Sequence, residues 1–401
     1  MRISLASLFT ALGLTTAAAT DTLELYIDAD YSVSFAAAEA IELGVRTALN
    51  EVDHQLGGMP VELVPKDHRG NAKRSHRTME EYLDSDRALA MIGGLHSPPY
   101  LTYREFINDS GILTLLPWSA SAPITRTQGD ENWFFRVSVD DSKSGEFFVR
   151  EAMDRQGCTS LALILLDTGW GRAGEVSLTA ALAARNMRPV VVEYFPFSVG
   201  RAVAGTLASN VASSGADCAV IMANAVNGAT VFRALFEQAP SLRIFSDWGI
   251  MGGNFTDEID REMRQRLDIQ VLQTCALRIE AESSGVLTRA LQTAKPEATS
   301  LADIGAVTGF VHGYDITRIL IAAADQAART DAWPGGTIQQ RRAALKAALE
   351  NLQTPVDGIL KTYDPPFRPW ASSDADAREA LGLDDLCMAR FREDGLLKDA
   401  G

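Results

Sequence analysis

The stretch that decides the fold runs Leu161-Ala-Leu-Ile-Leu-Leu166 and then Asp167-Thr-Gly-Trp-Gly-Arg-Ala-Gly174. Six apolar residues without alternation predict a strand buried on both faces, the habit of a parallel sheet covered by helices. The turn that follows carries three glycines, and Glu175 to Arg185 has helical spacing. Downstream the rhythm repeats: strand Val190 to Tyr194, helix Ala202 to Ser213, strand Ala219 to Met222, helix Ala229 to Gln238, strand Arg243 to Phe245. Upstream it appears again: strand Leu23 to Ile27, helix Ala36 to Val52 stopped by Gly57-Gly58, strand Val61 to Val64, helix Arg74 to Leu83, strand Ala88 to Ile92, helix Tyr100 to Asp109, strand Ile112 to Leu116. Two βαβα series predict an α/β chain with two doubly wound parallel-sheet lobes and a cleft between them. The loops to watch follow Ile27, Ile92, Leu116, Leu166, Met222 and Phe245, because open parallel sheets bind ligands at the C-terminal ends of their strands.

Beyond the second series come a strand at Ile269 to Gln273 and two amphipathic helices, Gly305 to Ala328 and Ile338 to Leu352. Short strands at Ile359 to Tyr363 and Leu386 to Phe391 follow. The 401 residues are 46% hydrophobic and 22% charged, a globular composition. Acidic residues outnumber basic ones 52 to 37, for a formal charge of −15. That balance argues against nucleic acid and anionic membrane surfaces, both of which need a basic face.

Arg2, the apolar run Ile3 to Leu14 and the small residues Thr15 to Ala19 have the three-part pattern of a cleaved secretory signal peptide, residues 1–19. No cysteine lies near the cleavage site for lipid attachment, so the expected home is a periplasm, with no membrane insertion after cleavage. The four cysteines, Cys158, Cys218, Cys275 and Cys387, allow three pairings, and the sequence does not choose among them.

The order and spacing of several segments resemble the type I periplasmic solute-binding proteins of ABC importers, branched-chain amino-acid class. The resemblance is carried by Ala40-Ile-Glu-Leu-Gly44 with Ala48-Leu-Asn-Glu51, by Val64-Pro-Lys-Asp-His-Arg-Gly-Asn71, by Ile92-Gly-Gly-Leu-His-Ser97 and by Leu116-Pro-Trp-Ser-Ala-Ser-Ala-Pro123. Phe135-Arg136, Asp167 to Gly171, Trp248-Gly249 and Gly313-Tyr314-Asp315 complete it. It implies two lobes joined by three crossovers, here near Val139, Cys275 and Asp357. Lobe 1 would hold residues 20–139 and 276–356, and lobe 2 residues 140–275 and 357–401. The lobes would close on an amino acid or related amphipathic solute and hand it to a membrane permease. The sequence departs from the family where Asp28 to Phe35 replaces a glycine-rich loop after the first strand.

By position, the resemblance makes Ser97 and Ser121 hydroxyl donors to a solute head group and gives Ser119 backbone contacts. An α-carboxylate favours such places because helix N-termini offer free N–H groups. Trp170 falls where the family often has an aromatic, and Asn224 falls near a ligand-contact loop. From the residues themselves, Trp118 and Trp248 sit in two more strand-end loops and can clamp an apolar or cationic group. Asp247, Asp28 and Asp30 are candidates for gripping an amine.

Two rival readings concern other functions. Gly169-Trp-Gly-Arg-Ala-Gly174 with Glu193 downstream spells a dinucleotide fingerprint, but Trp170 stands where a pyrophosphate must approach the backbone. A ligand-sensing receptor for a signalling partner uses the same closure and has no separate sequence mark. His96 beside Ser97 lacks an identifiable orienting acid, and no H-E-x-x-H occurs. No catalytic residue, metal or cofactor is expected.

Overall fold

The computed structural model describes residues 22–280 and 285–401, so the expected leader lies outside the described residues. Strands β1 (Leu23–Ala29), β2 (Gln55–Leu56), β3 (Met59–Asp67), β4 (Ala88–Gly93), β5 (Thr114–Leu116) and β6 (Phe134–Arg136) form one sheet, in the order β2-β3-β1-β4-β5-β6. Its neighbours run parallel except β2 and β3, which form a hairpin. Gly57-Gly58 is the two-residue turn of that hairpin and not the stop of the preceding helix, which ends at Asn50. Both glycines take positive φ, 54° and 79°, as a tight hairpin turn requires.

The second sheet is built from β7 (Leu161–Leu166), β8 (Val191–Phe195), β9 (Cys218–Met222), β10 (Arg243–Ser246) and β11 (Gln270–Thr274), all parallel. The expected strand at 359–363 is instead a ribbon of β12 (Val356–Asp357) and β13 (Thr362–Tyr363), with its turn held on Asp315. Ile359 and Leu360 donate their N–H groups to that carboxylate at 2.6 and 3.1 Å, and the Tyr363 hydroxyl donates at 2.7 Å. β14 (Leu386–Phe391) and β15 (Leu397–Asp399) then extend the second sheet antiparallel, giving β15-β14-β11-β10-β9-β7-β8. The architecture is α/β with two mixed, largely parallel lobes. In the first sheet β1 lies between β3 and β4, and in the second β7 lies between β8 and β9, which opens a crevice at the C-terminal strand ends.

Helices fix the crevices in place. Phe35–Asn50 lies so close to Val307–Ala327 that a Cβ on Gly44 would meet the Phe310 carbonyl at 2.2 Å, and one on Gly313 the Ile41 carbonyl at 2.7 Å. Those glycines, part of the segments that carry the resemblance, are therefore helix-packing residues. Tyr314, next to Gly313, donates its hydroxyl to Glu51 at 2.7 Å.

Within residues 357–381, Phe367 and Glu379 reach the first sheet, while Asp376 pairs with Lys143 at 2.8 Å. Phe367 packs edge-on against Phe135 with ring centres 5.0 Å apart, and Glu379 forms a bidentate ion pair with Arg136. Disulfides join Cys158 to Cys218 and Cys275 to Cys387, the first ahead of β7 and the second linking the end of β11 to β14. Among the described residues no helix is long and apolar enough to cross a membrane.

Candidate functional site

A small cavity lies where the strand ends of the two sheets meet. From the first sheet, the loop after β4 contributes Leu95, His96, Ser97 and Pro98, and the loop after β5 contributes Trp118 and Ala120. From the second come Leu166, Thr168 and Trp170 after β7, Phe197 after β8, Asn224 after β9, and Asp247, Trp248 and Gly249 after β10. Each loop sits where it does for a local reason. A Cβ on Gly94 would meet Ala29 at 2.9 Å, so glycine lets the β4 loop lie against the end of β1. Thr168 caps the helix Gly169–Ala183 by accepting from the Gly171 N–H, which fixes Trp170 in its first turn. A carbon on Gly309 would strike the Trp118 ring at 2.7 Å, so that indole packs flush against the helix Val307–Ala327.

The cavity has aromatic walls and an acidic corner. Trp248 meets the His312 ring edge-on at 6.0 Å, and His312 is held between the Pro117 carbonyl and the Thr274 hydroxyl. Burial pushes His312 down to about 4, so it is neutral near pH 7. Asp247 is 1% exposed; its Oδ1 accepts from the Gly249 N–H at 2.9 Å and its Oδ2 has no partner. Trp170 donates its indole N–H to Asp141 Oδ1 at 3.2 Å, and Asp141 Oδ2 is likewise buried without a partner. Burial lifts the Asp247 carboxyl to about 7. Burial lifts Asp141 well above the ordinary range, with the charges of Asp247 and Asp140 adding to the shift. Among the described residues that line the cavity there is no lysine or arginine.

The structure thus gathers six of the ten sequence candidates, Ser97, Trp118, Trp170, Asn224, Asp247 and Trp248, around one space. The other four do not line it. Asp28 is enclosed beneath β1, bonded by the Ser75 and Tyr100 hydroxyls, and burial lifts it to about 7. Asp30 turns to its own loop, accepting from the Ser32 and Val33 N–H groups and pairing with His96 at 3.1 Å. Burial alone would raise Asp30, yet those bonds outweigh it and hold the group at about 2. Ser119 donates its hydroxyl to the Gly94 carbonyl at 2.7 Å. The Ser121 N–H is spent on Ser97 Oγ at 3.3 Å, and the Ser121 hydroxyl is buried without a partner. Both serine carbonyls accept from Arg136 at 3.0 Å.

Sequence reading missed Phe197, Thr168, Leu95, Pro98 and the acid behind Trp170, Asp141. Phe197 was within reach, since it follows the parallel strand β8 as Trp170 follows β7 and Asn224 follows β9. His96 gains the acid it lacked in Asp30, but Asp30 and the Ser34 hydroxyl both meet the same nitrogen, Nε2, at 3.1 and 3.2 Å. A relay needs the acid and the hydroxyl on opposite ring nitrogens, so this cluster lacks that geometry. The glycines of the dinucleotide-like turn have packing duties: a Cβ at Gly171 would lie 2.0 Å from the Leu166 carbonyl, and one at Gly174 2.0 Å from Met222 Sδ. Glu193 is engaged by Asn210 at 2.9 Å. Among the described residues the one metal-sized cluster is Cys158, Asp217 and Cys218, and its two sulfurs are joined to each other.

Solved structures share this architecture at low identity. A type 1 periplasmic binding protein from Bordetella pertussis is 15% identical, covering 94% of this chain and all of its own, with a TM-score of 0.74. An ABC-transporter solute-binding protein from Rhodopseudomonas palustris, solved with benzoate, is 15% identical over 95% of this chain and 96% of its own, with a TM-score of 0.73. A leucine-binding protein from Thermotoga maritima is 15% identical over 95% and 98%, with a TM-score of 0.72. No curated protein sequence matches the chain. The family model described as periplasmic binding protein matches residues 29–241, more than half of the sequence, and this chain belongs to that family of solute-binding proteins.

Proposed function

We propose that this protein is the extracytoplasmic substrate-binding component of an ABC importer, capturing an amino acid or a related small amphipathic solute between its lobes. Lobe 1 would comprise residues 20–139 and 276–356, and lobe 2 residues 140–275 and 357–401, with Phe367 and Glu379 reaching the first sheet. The observation that carries the reading is the shared cavity: loops from both sheets line one space, so a solute there favours the closed arrangement over the open one. A permease would then recognise the closed form, and the protein would do no chemistry on its cargo. Export through the signal peptide 1–19 belongs to the same reading. A second solute class, aromatic acids, is favoured by the walls of Trp118, Trp170, Trp248 and Phe197, and by the benzoate bound in one of the structural neighbours.

The test is a thermal-shift screen of amino acids, amides, amines, betaines and benzoates. One class should raise the melting temperature in a concentration-dependent way; a ligand at 100 times its Kd stabilises by about 2.7 kcal/mol. Turnover of a compound by the purified protein would overthrow the reading.

A further inference from the structure

We infer that the solute is an organic cation, an alkylammonium or quaternary ammonium compound without a carboxylate, held with its charge against Asp247 and between the tryptophan faces. The inference rests on the proposal that the cavity is the solute site. It begins with donors that are missing. The helix that follows β4, where a head-group carboxylate would be expected to bind, is only five residues long and opens with Pro98-Pro99, which have no N–H to offer. The next donors in line are already used: the Ser121 N–H bonds Ser97, and the Ser119 hydroxyl bonds a backbone carbonyl. With no lysine or arginine on the described wall, an entering carboxylate would meet Asp247 without a counter-charge.

The acceptors, by contrast, stand open. Asp247 lines the cavity with a buried Oδ2 that has no partner among the described residues, and Asp141 Oδ2 behind Trp170 is in the same condition. Burying a carboxylate oxygen without a partner is costly, and the chain bears that cost at both Asp247 and Asp141. Burial pushes both carboxyls upward, and the charge of Asp247 adds to the shift at Asp141, a penalty that a ligand cation would offset. Indole faces attract cations most strongly of the aromatic side chains, and they favour quaternary ammonium groups in desolvated cages. The remaining buried orphan on the wall, Trp118 Nε1, is a neutral donor that suits a hydroxyl or carbonyl oxygen on the same solute.

The experiment titrates the full chain with five probes: choline, butylammonium, 3,3-dimethylbutan-1-ol (the uncharged carbon analogue of choline), leucine and benzoate. Choline or butylammonium should bind at least tenfold more tightly than the other three. Asp247→Asn, which keeps the acceptor for the Gly249 N–H, should erase the preference of choline over its carbon analogue. Tighter binding of leucine or benzoate would overturn the cation assignment and leave the solute site standing. An unchanged cation preference in Asp247→Asn would also overturn it. Binding of none of the five would count against both this inference and the reading beneath it.

Discussion

Asp140 and Asp141 are neighbours in the chain, both are buried, and their surroundings treat them in opposite ways. Asp140 accepts from Arg126 and Lys143 at 3.0 Å each and from the Ser142 N–H at 2.8 Å. Burial would raise it, but Arg136, Lys143 and Arg126 outweigh burial and hold it far below the usual carboxylate range. The Asp141 carboxyl has one hydrogen bond, from Trp170; burial and the charges of Asp247 and Asp140 push it up, and the Arg136 charge offsets only part of that. The pattern extends outward. Around Asp140 runs a closed network in which Arg136 grips Glu379 at 2.8 and 2.7 Å and ties down the Ser119 and Ser121 carbonyls. Around Asp141 lie the cavity and its orphan oxygens. Satisfied buried charge fixes geometry, whereas unsatisfied buried charge leaves binding energy for something that arrives later.

The largest test of that contrast breaks the closed side. Glu379→Ala leaves the fully buried Arg136 guanidinium without its carboxylate, and removing one partner of a buried pair costs about 3–5 kcal/mol. Urea denaturation should show a loss of that order; a loss under about 1 kcal/mol would mean the network is not the clamp described.

The open side should respond in the other direction. Asp247 titrates near 7 in the folded protein against about 3.9 in an unfolded chain, so the folded state holds the extra proton between those values. Stability therefore falls as pH rises from about 4 to 7, and stays reduced above that. Asp247→Asn removes the penalty. The empty variant should match the wild type near pH 4 and be more stable at pH 8, by no more than about 4 kcal/mol, read from melting curves at the two pH values. A variant that loses cation binding while gaining stability marks a residue kept for function; loss of stability at pH 8 would place Asp247 on the closed side of the comparison instead.

A third test separates charge from area. Trp248→Leu should weaken choline about tenfold, within the range for a desolvated cation over an indole, while affecting 3,3-dimethylbutan-1-ol less. Equal losses for both, measured by calorimetry, would reduce the aromatic wall to plain apolar surface.

The contrast also explains which parts of the molecule were legible in the sequence. Unbroken apolar runs such as Leu161 to Leu166 declare buried parallel strands, and strand-end loops follow from them; Trp118, Trp170, Asn224, Asp247 and Trp248, all in such loops or just beyond them, line one cavity. The Arg136–Glu379 pair spans 243 positions, and no local pattern announces which of 52 acids an arginine will meet. For the same reason the packing of Phe367 against Phe135 on the first sheet was invisible. Asp28 and Asp30 illustrate a subtler limit. Alternation showed them on one side of a strand, but whether that side faces solute or the Ser75 and Tyr100 hydroxyls depends on how the next helix packs. One local signal was available and went unused: Pro98-Pro99 strips N–H donors from the loop assigned to a carboxylate.

That signal gives the comparison its smallest and sharpest test. The Ser121 hydroxyl is buried, unpartnered and off the cavity wall, whereas the resemblance to amino-acid binders makes it a head-group donor. An orphan hydroxyl costs its desolvation and returns no bond, so Ser121→Ala should leave stability unchanged or slightly improved, within about 1 kcal/mol. Choline affinity should change less than about threefold, a difference under 0.7 kcal/mol that calorimetry resolves. If the substitution instead weakens leucine binding tenfold or more, a donor is at work on the first sheet's side of the cavity. The opened acids of the second sheet would then grip the amine end of a zwitterion, rather than a cation alone.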